Sequence, residues 1–400
     1  MKFAHIADIH LGNWRDPLLK KLVSDSFEKA INNIILLKPD FLLISGDLFH
    51  TALPGIDQVK LVVKKLNELK NKGIRTYYIA GSHDYSPSGK TMLDIIEEAE
   101  LGINVTKGSI QDKKLNLEYT VDKTGAKITG IIGKKGNLEK QYYDTLNYDF
   151  LEKEEGFKIF MFHTAINELK PSYLKEMESS PAKILPKGFD YYAGGHVHIV
   201  QHEEIDNKRI FYPGPLFPAN FSELEKLRHG GFYFYDNGKI NWHPVKVKNV
   251  KVITLNINSS NSVDAVNIIN REIEKTDVKD CIVLFKIEGY LEGTIKELNL
   301  KDKIKNLYSK GASHVLKNTS GLKTQRFEEV DIKKGSAEEI EHEIIKEYLG
   351  RYRNDFKDEE KITKNLMRIM SQEKQEGETI QSYKERIKKE INQELAYSKE

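Results

Sequence analysis

Short apolar runs alternate with longer amphipathic ones through the first half of the chain. KFAHIAD is followed by a helical period through FEKAINNIILL, then by DFLLISGD, a second helical period through VKLVVKKLNELKNKG, and IRTYYIAG. Strand-like runs separated by helical periods predict an α/β fold, a multi-layer sandwich. Strands covered on both faces read as unbroken apolar runs, and FLLI, TYYIA, KIFMF and DYYAGG do. Near residue 245 the pattern restarts with VKVITLNI, VDAVNIINREIEKT, CIVLFKIEGYL, a helix through IKELNLKDKIKNLYSKG, and SHVLKN, one small βαβαβ unit. NTSGLKTQRFEEVDIKKG reads as a linker, and Ser336 with Glu339 signs a new helix start. Beyond it Ile340, Ile344 and Tyr348, then Ile362, Leu366 and Ile369, then Ile380, Tyr383, Ile387, Ile391 and Leu395 form narrow apolar stripes on charged helices. The expected division is a main domain at 1–245, an α/β cap at 246–317, a linker at 318–335 and C-terminal helices at 336–400.

The C-terminal ends of the apolar runs carry the chemistry. Asp8 and His10 follow FAHIA, Asp47 follows FLLISG, and Gly81, Ser82, His83 and Asp84 follow YYIA; His163 ends IFMF, and His196 and His198 follow YYAGG. In open α/β sheets, sites form outside the carboxyl ends of strands, so these segments are expected to converge on one crevice. Along an extended chain residues i and i+2 point the same way, which would aim both members of D-x-H and of H-x-H at one centre. Any one of these signals also fits an ordinary turn or a hydrogen-bonded core histidine. Five of them, each at a strand end, point to two metal ions held by imidazole and carboxylate, a donor set suited to manganese, iron or zinc.

Composition narrows this reading without redirecting it. The 400 residues hold 62 Lys+Arg and 60 Asp+Glu, so net charge neither calls for nucleic acid nor excludes a local basic groove. The single cysteine, Cys281, rules out an intrachain disulfide and a thiolate zinc site. No apolar run approaches the roughly 18 residues of a membrane span, so a cytoplasmic protein with no membrane contact is expected.

The ordered set D-x-H, G-D, G-S-H-D, H and G-H-x-H resembles the calcineurin-like metallophosphoesterases over roughly residues 1 to 235. Within that superfamily ADIHLG, SGDLFH and YPGP are similar to the SbcD and meiotic recombination eleven DNA repair nucleases. The resemblance implies two manganese ions per subunit: Asp8, His10, Asp47 and His198 on one, and Asp47, Ser82, His163 and His196 on the other. It implies that His83 faces the scissile phosphate with Asp84 orienting its ring, and that His50 contacts the substrate backbone. Ser82 departs from the family, which has asparagine there. The resemblance further implies a manganese-dependent exonuclease on duplex DNA ends and endonuclease on single strands. It also implies a homodimer, and an SbcC/Rad-fifty type ABC ATPase bound through the C-terminal helices. Leu61, Val62, Met92 and Leu93 suit either the dimer contact or the core. A metallophosphatase on small molecules or phosphoproteins, and a non-catalytic DNA-tethering scaffold, remain the competing readings.

Overall fold

The computed structural model describes residues 1–85, 91–174, 176–258, 260–324, 359–372 and 378–397. They fall into two compact units, Met1–Lys323 and Thr324–Glu400. The first unit opens with β1 (Lys2–Ile6), α1 (Pro17–Leu37), β2 (Phe41–Ser45), α2 (Ile56–Asn71), β3 (Arg75–Ile79), α3 (Leu93–Glu98) and β4 (Ile103–Asn104). A hairpin of β5 (Gly108–Gln111) and β6 (Lys114–Leu117) leads to β7 (Thr120–Val121) and β8 (Lys127–Gly130). The short helices α4 (Lys140–Thr145) and α5 (Tyr148–Glu152) precede β9 (Lys158–His163), β10 (Tyr191–Gly195), β11 (Gln201–Ile205) and β12 (Lys208–Tyr212). Helix α6 (Phe221–Leu227) is followed by β13 (Gly230–Asp236) and β14 (Lys239–Val245).

These strands form two six-stranded sheets, ordered β14-β13-β1-β2-β3-β4 and β11-β12-β10-β9-β8-β7. The expected α/β sandwich is present, with parallel centres and antiparallel edges except at β4, which pairs in parallel with β3. Phe3, Phe41, Tyr77, Ile159, Tyr191 and Phe211 fill the space between the sheets. Residues one step along each strand face the other way, so Leu42 and Ile44 pack with Phe27, Ile31, Leu66 and Leu69 of α1 and α2. Asp16 caps α1 by accepting from the amides of Leu18 and Leu19, and Pro17 starts the helix where no donor is needed. Val62 and Leu93 lie in this same core, and the partly buried Leu61 and Met92 pack against it.

A third sheet is built from β15 (Asn249–Asn256), β16 (Ser260–Asn261), β17 (Cys281–Glu292), β18 (His314–Asn318) and β19 (Leu322–Thr324), with α7 (Ser262–Lys275) and α8 (Leu300–Ser309) on one face. The strand β19 lies within the stretch read as linker and pairs with β17. The other face of the sheet, through Ile282 and Leu284 with Val250, Val252 and Leu316, joins the core that holds α1 and Leu224 of α6. The second unit contains α9 (Glu359–Met370) and α10 (Ile380–Tyr397). Ile362 and Ile369 are buried there, and Asn365 and Gln372 bond Glu394 and Glu390 across the helix pair. The Ser336–Glu339 signature and the stripe Ile340, Ile344 and Tyr348 lie outside the described residues. Among the described residues no helix is long and apolar enough to cross a membrane.

The parallel strands all end at one edge of the sandwich, and their ends approach closely. A Cβ on Gly46 would fall 2.3 Å from His163 Nδ1 and 2.8 Å from Gly81 Cα, and φ there is +86°. Gly46→Ala is therefore expected to lower the unfolding free energy by about 2–4 kcal/mol, through left-handed strain plus overpacking. Urea denaturation measures it, and an unchanged midpoint would mean that the strand ends are not in contact.

Candidate metal centre

Five strand ends bring the acids and imidazoles together. Asp8 and His10 lie beyond β1, Asp47 beyond β2, and Ser82 to Asp84 beyond β3; His163 is the last residue of β9, and His196 and His198 follow β10. Asp8, His10, Asp47, Ser82, Asp84 and His163 are buried, with His83, His196 and His198 partly so.

Convergence does not come from extended spacing, as expected, but from left-handed backbone. Asp8, His10, Asp47, His196 and His198 have φ of 53°, 49°, 52°, 95° and 56°. Asp and His tolerate this region better than most residues, yet each costs about 1–3 kcal/mol unless its surroundings impose it. Here the surroundings do so. The β1 and β2 loops continue their pairing, with the Asp8 amide on Gly46 O at 3.1 Å, that of His10 on Asp47 O at 2.9 Å and that of Leu11 on Leu48 O at 3.0 Å.

Ligand atoms of Asp8, His10 and His198 all lie within 4.8 Å of one another, as do those of Asp8, Asp47 and His163, and those of His10, His50 and His83. Asp47 Oδ2 stands between the first two groups, 3.5 Å from His10 Nε2 and 3.2 Å from His163 Nε2. The Ser82 hydroxyl is 3.4 Å from the same oxygen. Of the expected ligands, His196 joins none of these groups; its ring stands 5.2 Å from that of His163 and its amide donates to Asp8 Oδ1 at 2.9 Å. His50 stacks on His83 at 5.1 Å, and His83 meets His10 edge-on at 4.8 Å.

Two features show that this donor set fits cations. His10 Nε2 faces His198 Nε2 at 2.9 Å, and His163 Nε2 is buried without a hydrogen-bond partner among the described residues. Two of these rings are also held by the far nitrogen, while His10 Nδ1 is buried without a hydrogen-bond partner among the described residues. His163 Nδ1–H donates to Ser45 O at 2.8 Å, and His198 Nδ1 bonds Glu223 Oε1 at 3.1 Å, which leaves both Nε2 atoms as lone pairs in the neutral rings. By contrast His5, one strand-length away, bonds Tyr191 OH and Ser45 Oγ with its two nitrogens and is a satisfied core histidine.

Charge is compensated unevenly inside the cluster, and burial holds the Asp8 carboxyl above its ordinary range despite His198 and His163. Burial alone would raise the Asp47 carboxyl, but His163, His10 and His83 outweigh it and hold it well below the usual range. Burial likewise opposes a charge on His163 and His198. Asp47 and Asp8 nevertheless push His163 up to about 10, and Glu223 and Asp8 push His198 up to about 9. Burial and the neighbouring cationic rings move His10 and His196 the other way, His196 to about 3.

Asp84 has partners that the sequence does not announce. Its carboxylate accepts from the amides of Leu48 (3.1 Å), Phe49 (2.9 Å) and Gly81 (3.1 Å), so it braces the β2 loop against the β3 loop. The His83 ring is held by His50, whose carbonyl accepts from His83 Nδ1 at 2.8 Å. Glu223 is missing from the sequence reading. It takes the Ala219 amide (2.7 Å) and the Asn220 side chain (2.6 Å) while holding His198. The N-x-x-E spacing of Asn220 and Glu223, a helix-start signature, was the available signal.

Residues 1–200 match the family model described as calcineurin-like phosphoesterase. Curated relatives that carry the name DNA double-strand break repair protein Mre11 include the following three. The one from Archaeoglobus fulgidus is 27% identical over 361 residues, 87% of this chain and 75% of its own length. The relative from Methanocaldococcus jannaschii is 31% identical over 241 residues, 59% of this chain and 62% of its own. The one from Methanopyrus kandleri is 29% identical over 235 residues, 57% of this chain and 51% of its own. The chain thus spans only about half of this last relative.

Two measurements check the centre. Asp84→Ala leaves three amides without their acceptor and should cost about 2–4 kcal/mol of stability in urea; a loss of rate at full stability would mean that Asp84 orients the His83 ring instead. Cation binding needs neutral His163 and His198, which are protonated at neutral pH by the values above. Loading should therefore release about two protons, and affinity should rise from pH 6 to 8. Calorimetry in buffers of different ionisation enthalpy counts them, and zero release would contradict the charge assignment.

Proposed function

The chain belongs to the calcineurin-like phosphoesterase family, whose model spans half its length, and from that premise we propose a metal-dependent DNA nuclease that processes double-strand breaks. The observation that carries this reading is the pair of donor groups joined by Asp8 and Asp47, with His83 at their rim. The names of the archaeal relatives supply the substrate. Asp8, His10, Asp47 and His198 would hold one cation, and Asp47, Ser82, His163 and His196 the other, with manganese on both. When bound, divalent cations supply Lewis acidity that draws charge from a phosphodiester and acidifies a water.

The chain's own groups do the rest. Asp47 keeps the two positions in one unit, because its Oδ2 faces both groups while its Oδ1 is fixed by the His83 amide at 2.8 Å. With Nδ1–H committed to the His50 carbonyl, His83 exchanges protons only at Nε2, the atom proposed to protonate the leaving oxygen. His50 lies beside it and is proposed to meet the substrate backbone. The Ser82 hydroxyl is a weaker donor than an amide oxygen, so the second position is proposed to fill at higher manganese concentration.

The same reading assigns exonuclease action to duplex ends and endonuclease action to single strands, in a cytoplasmic homodimer. It assigns the third sheet and its helices to DNA contact, and α9 and α10 to docking an SbcC/Rad-fifty type ATPase. Narrow stripes on charged helices suit such docking.

End-labelled linear duplex, incubated with wild type, Asp47→Ala and His83→Gln across a manganese titration with a chelator control, tests the proposal. Wild type is expected to cut, Asp47→Ala to be inert, and His83→Gln to bind manganese normally while cutting roughly 10²- to 10⁴-fold more slowly. Hydrolysis of a phosphomonoester with no cleavage of DNA would identify a metallophosphatase instead.

A further inference from the structure

The third sheet touches the N-cap of α1, six residues beyond His10, and helix α6, whose Glu223 bonds His198. On β17, Lys286 Nζ lies 3.1 Å from Glu225 Oε1 of α6. On β18, His314 Nδ1 lies 3.6 Å from Oδ2 of Asp16, the N-cap of α1. Helix α6 packs on both β15 and β17, and its Leu224 is fully buried. Glu223 and Glu225, two positions apart, leave the helix about 200° from each other. One side therefore holds His198 and the other meets Lys286.

The strap before α6 is tied to the loop after His10. Trp14 Nε1 donates to Pro218 O and Asn13 Nδ2 to Ala219 O, both at 3.1 Å, and the Asn13 amide donates to His10 O at 2.9 Å. The Ala219 amide in turn donates to Glu223 Oε2. The two imidazoles that face each other at 2.9 Å are thus carried by one frame: the 10–16 loop, the 218–220 strap and α6. Lys286, which also pairs with Glu288 on its own strand at 2.7 Å, meets that frame at Glu225, and His314 approaches its other end at Asp16. His163 is held differently, by the carbonyl of Ser45 at the end of β2 and by close packing against Gly46 and Gly133 in the loops beyond β2 and β8.

We infer that Lys286 and His314 are positioning residues for the His10–His198 pair, so that the third sheet sets the affinity of that one cation position and leaves the His163 position alone. Ligand placement within about 0.5 Å decides affinity, and outer contacts tune it by about 10- to 100-fold when they touch a ligand directly. Contacts one step further out should count for less. The inference rests on the two-cation reading above.

Manganese binding to the full chain, followed by calorimetry and by electron paramagnetic resonance, tests it without turnover. Wild type is expected to show two sites. In Lys286→Ala/His314→Ala, one site should weaken about 3- to 10-fold and the other keep its affinity, with the metal-free unfolding midpoint unchanged. Lys286→Arg alone should bind like wild type, because it keeps the pair with Glu225. Two wild-type sites that are both unaltered in the double variant, or both weakened alike, would overturn this inference alone. A wild type that binds no manganese would overturn the two-cation reading and this inference with it.

Discussion

Two carboxylates, Asp8 and Asp47, are 1% and 2% exposed among imidazoles, and the rest of the structure answers to that burial. Removing an ion from water costs several kcal/mol unless its charge is matched nearby. The match is local: His163 and His198 supply positive charge, while the His83 and His196 amides occupy one oxygen of Asp47 and of Asp8. Bringing so many acids and imidazoles to one point requires strand ends that nearly touch, and hence glycine at 46 and left-handed backbone at Asp8, His10, Asp47, His196 and His198. That strain persists because the paired loops beyond β1 and β2 over-determine it.

Around the ligands lies a shell of acceptors, each fixing one ring. Ser45 O turns His163, Glu223 turns His198, and His50 O turns His83. Asp84 fixes loops, and burial and Asp47 push its carboxyl up to about 7 against the pull of three amides. Two of the three ring contacts come from backbone carbonyls. Ring orientation therefore follows from how the strands end, which ties the chemistry to the register of the two sheets.

Much of this was legible in the sequence. Unbroken apolar runs marked β1, β2, β3, β9 and β10, and the acids and imidazoles at their ends named the residues that meet. The geometry of their meeting was not legible, since an i, i+2 pattern looks alike in extended and left-handed backbone. Nor could the partner of His83 Nδ1 be read, because a carbonyl acceptor leaves no trace in residue identity. Glu223 was missed because it follows His198 by 25 positions on a different element. The strand β19 was hidden in a polar stretch whose pairing depends on the long neighbour β17.

The central claim is that five strand ends build two cation positions joined by Asp47. Anomalous diffraction from crystals grown with manganese tests it most directly. The account predicts two peaks about 3.5–4 Å apart, one beside His10 and His198 and one beside His163, with Asp47 touching both. A single peak, or two peaks that Asp47 does not link, would contradict it.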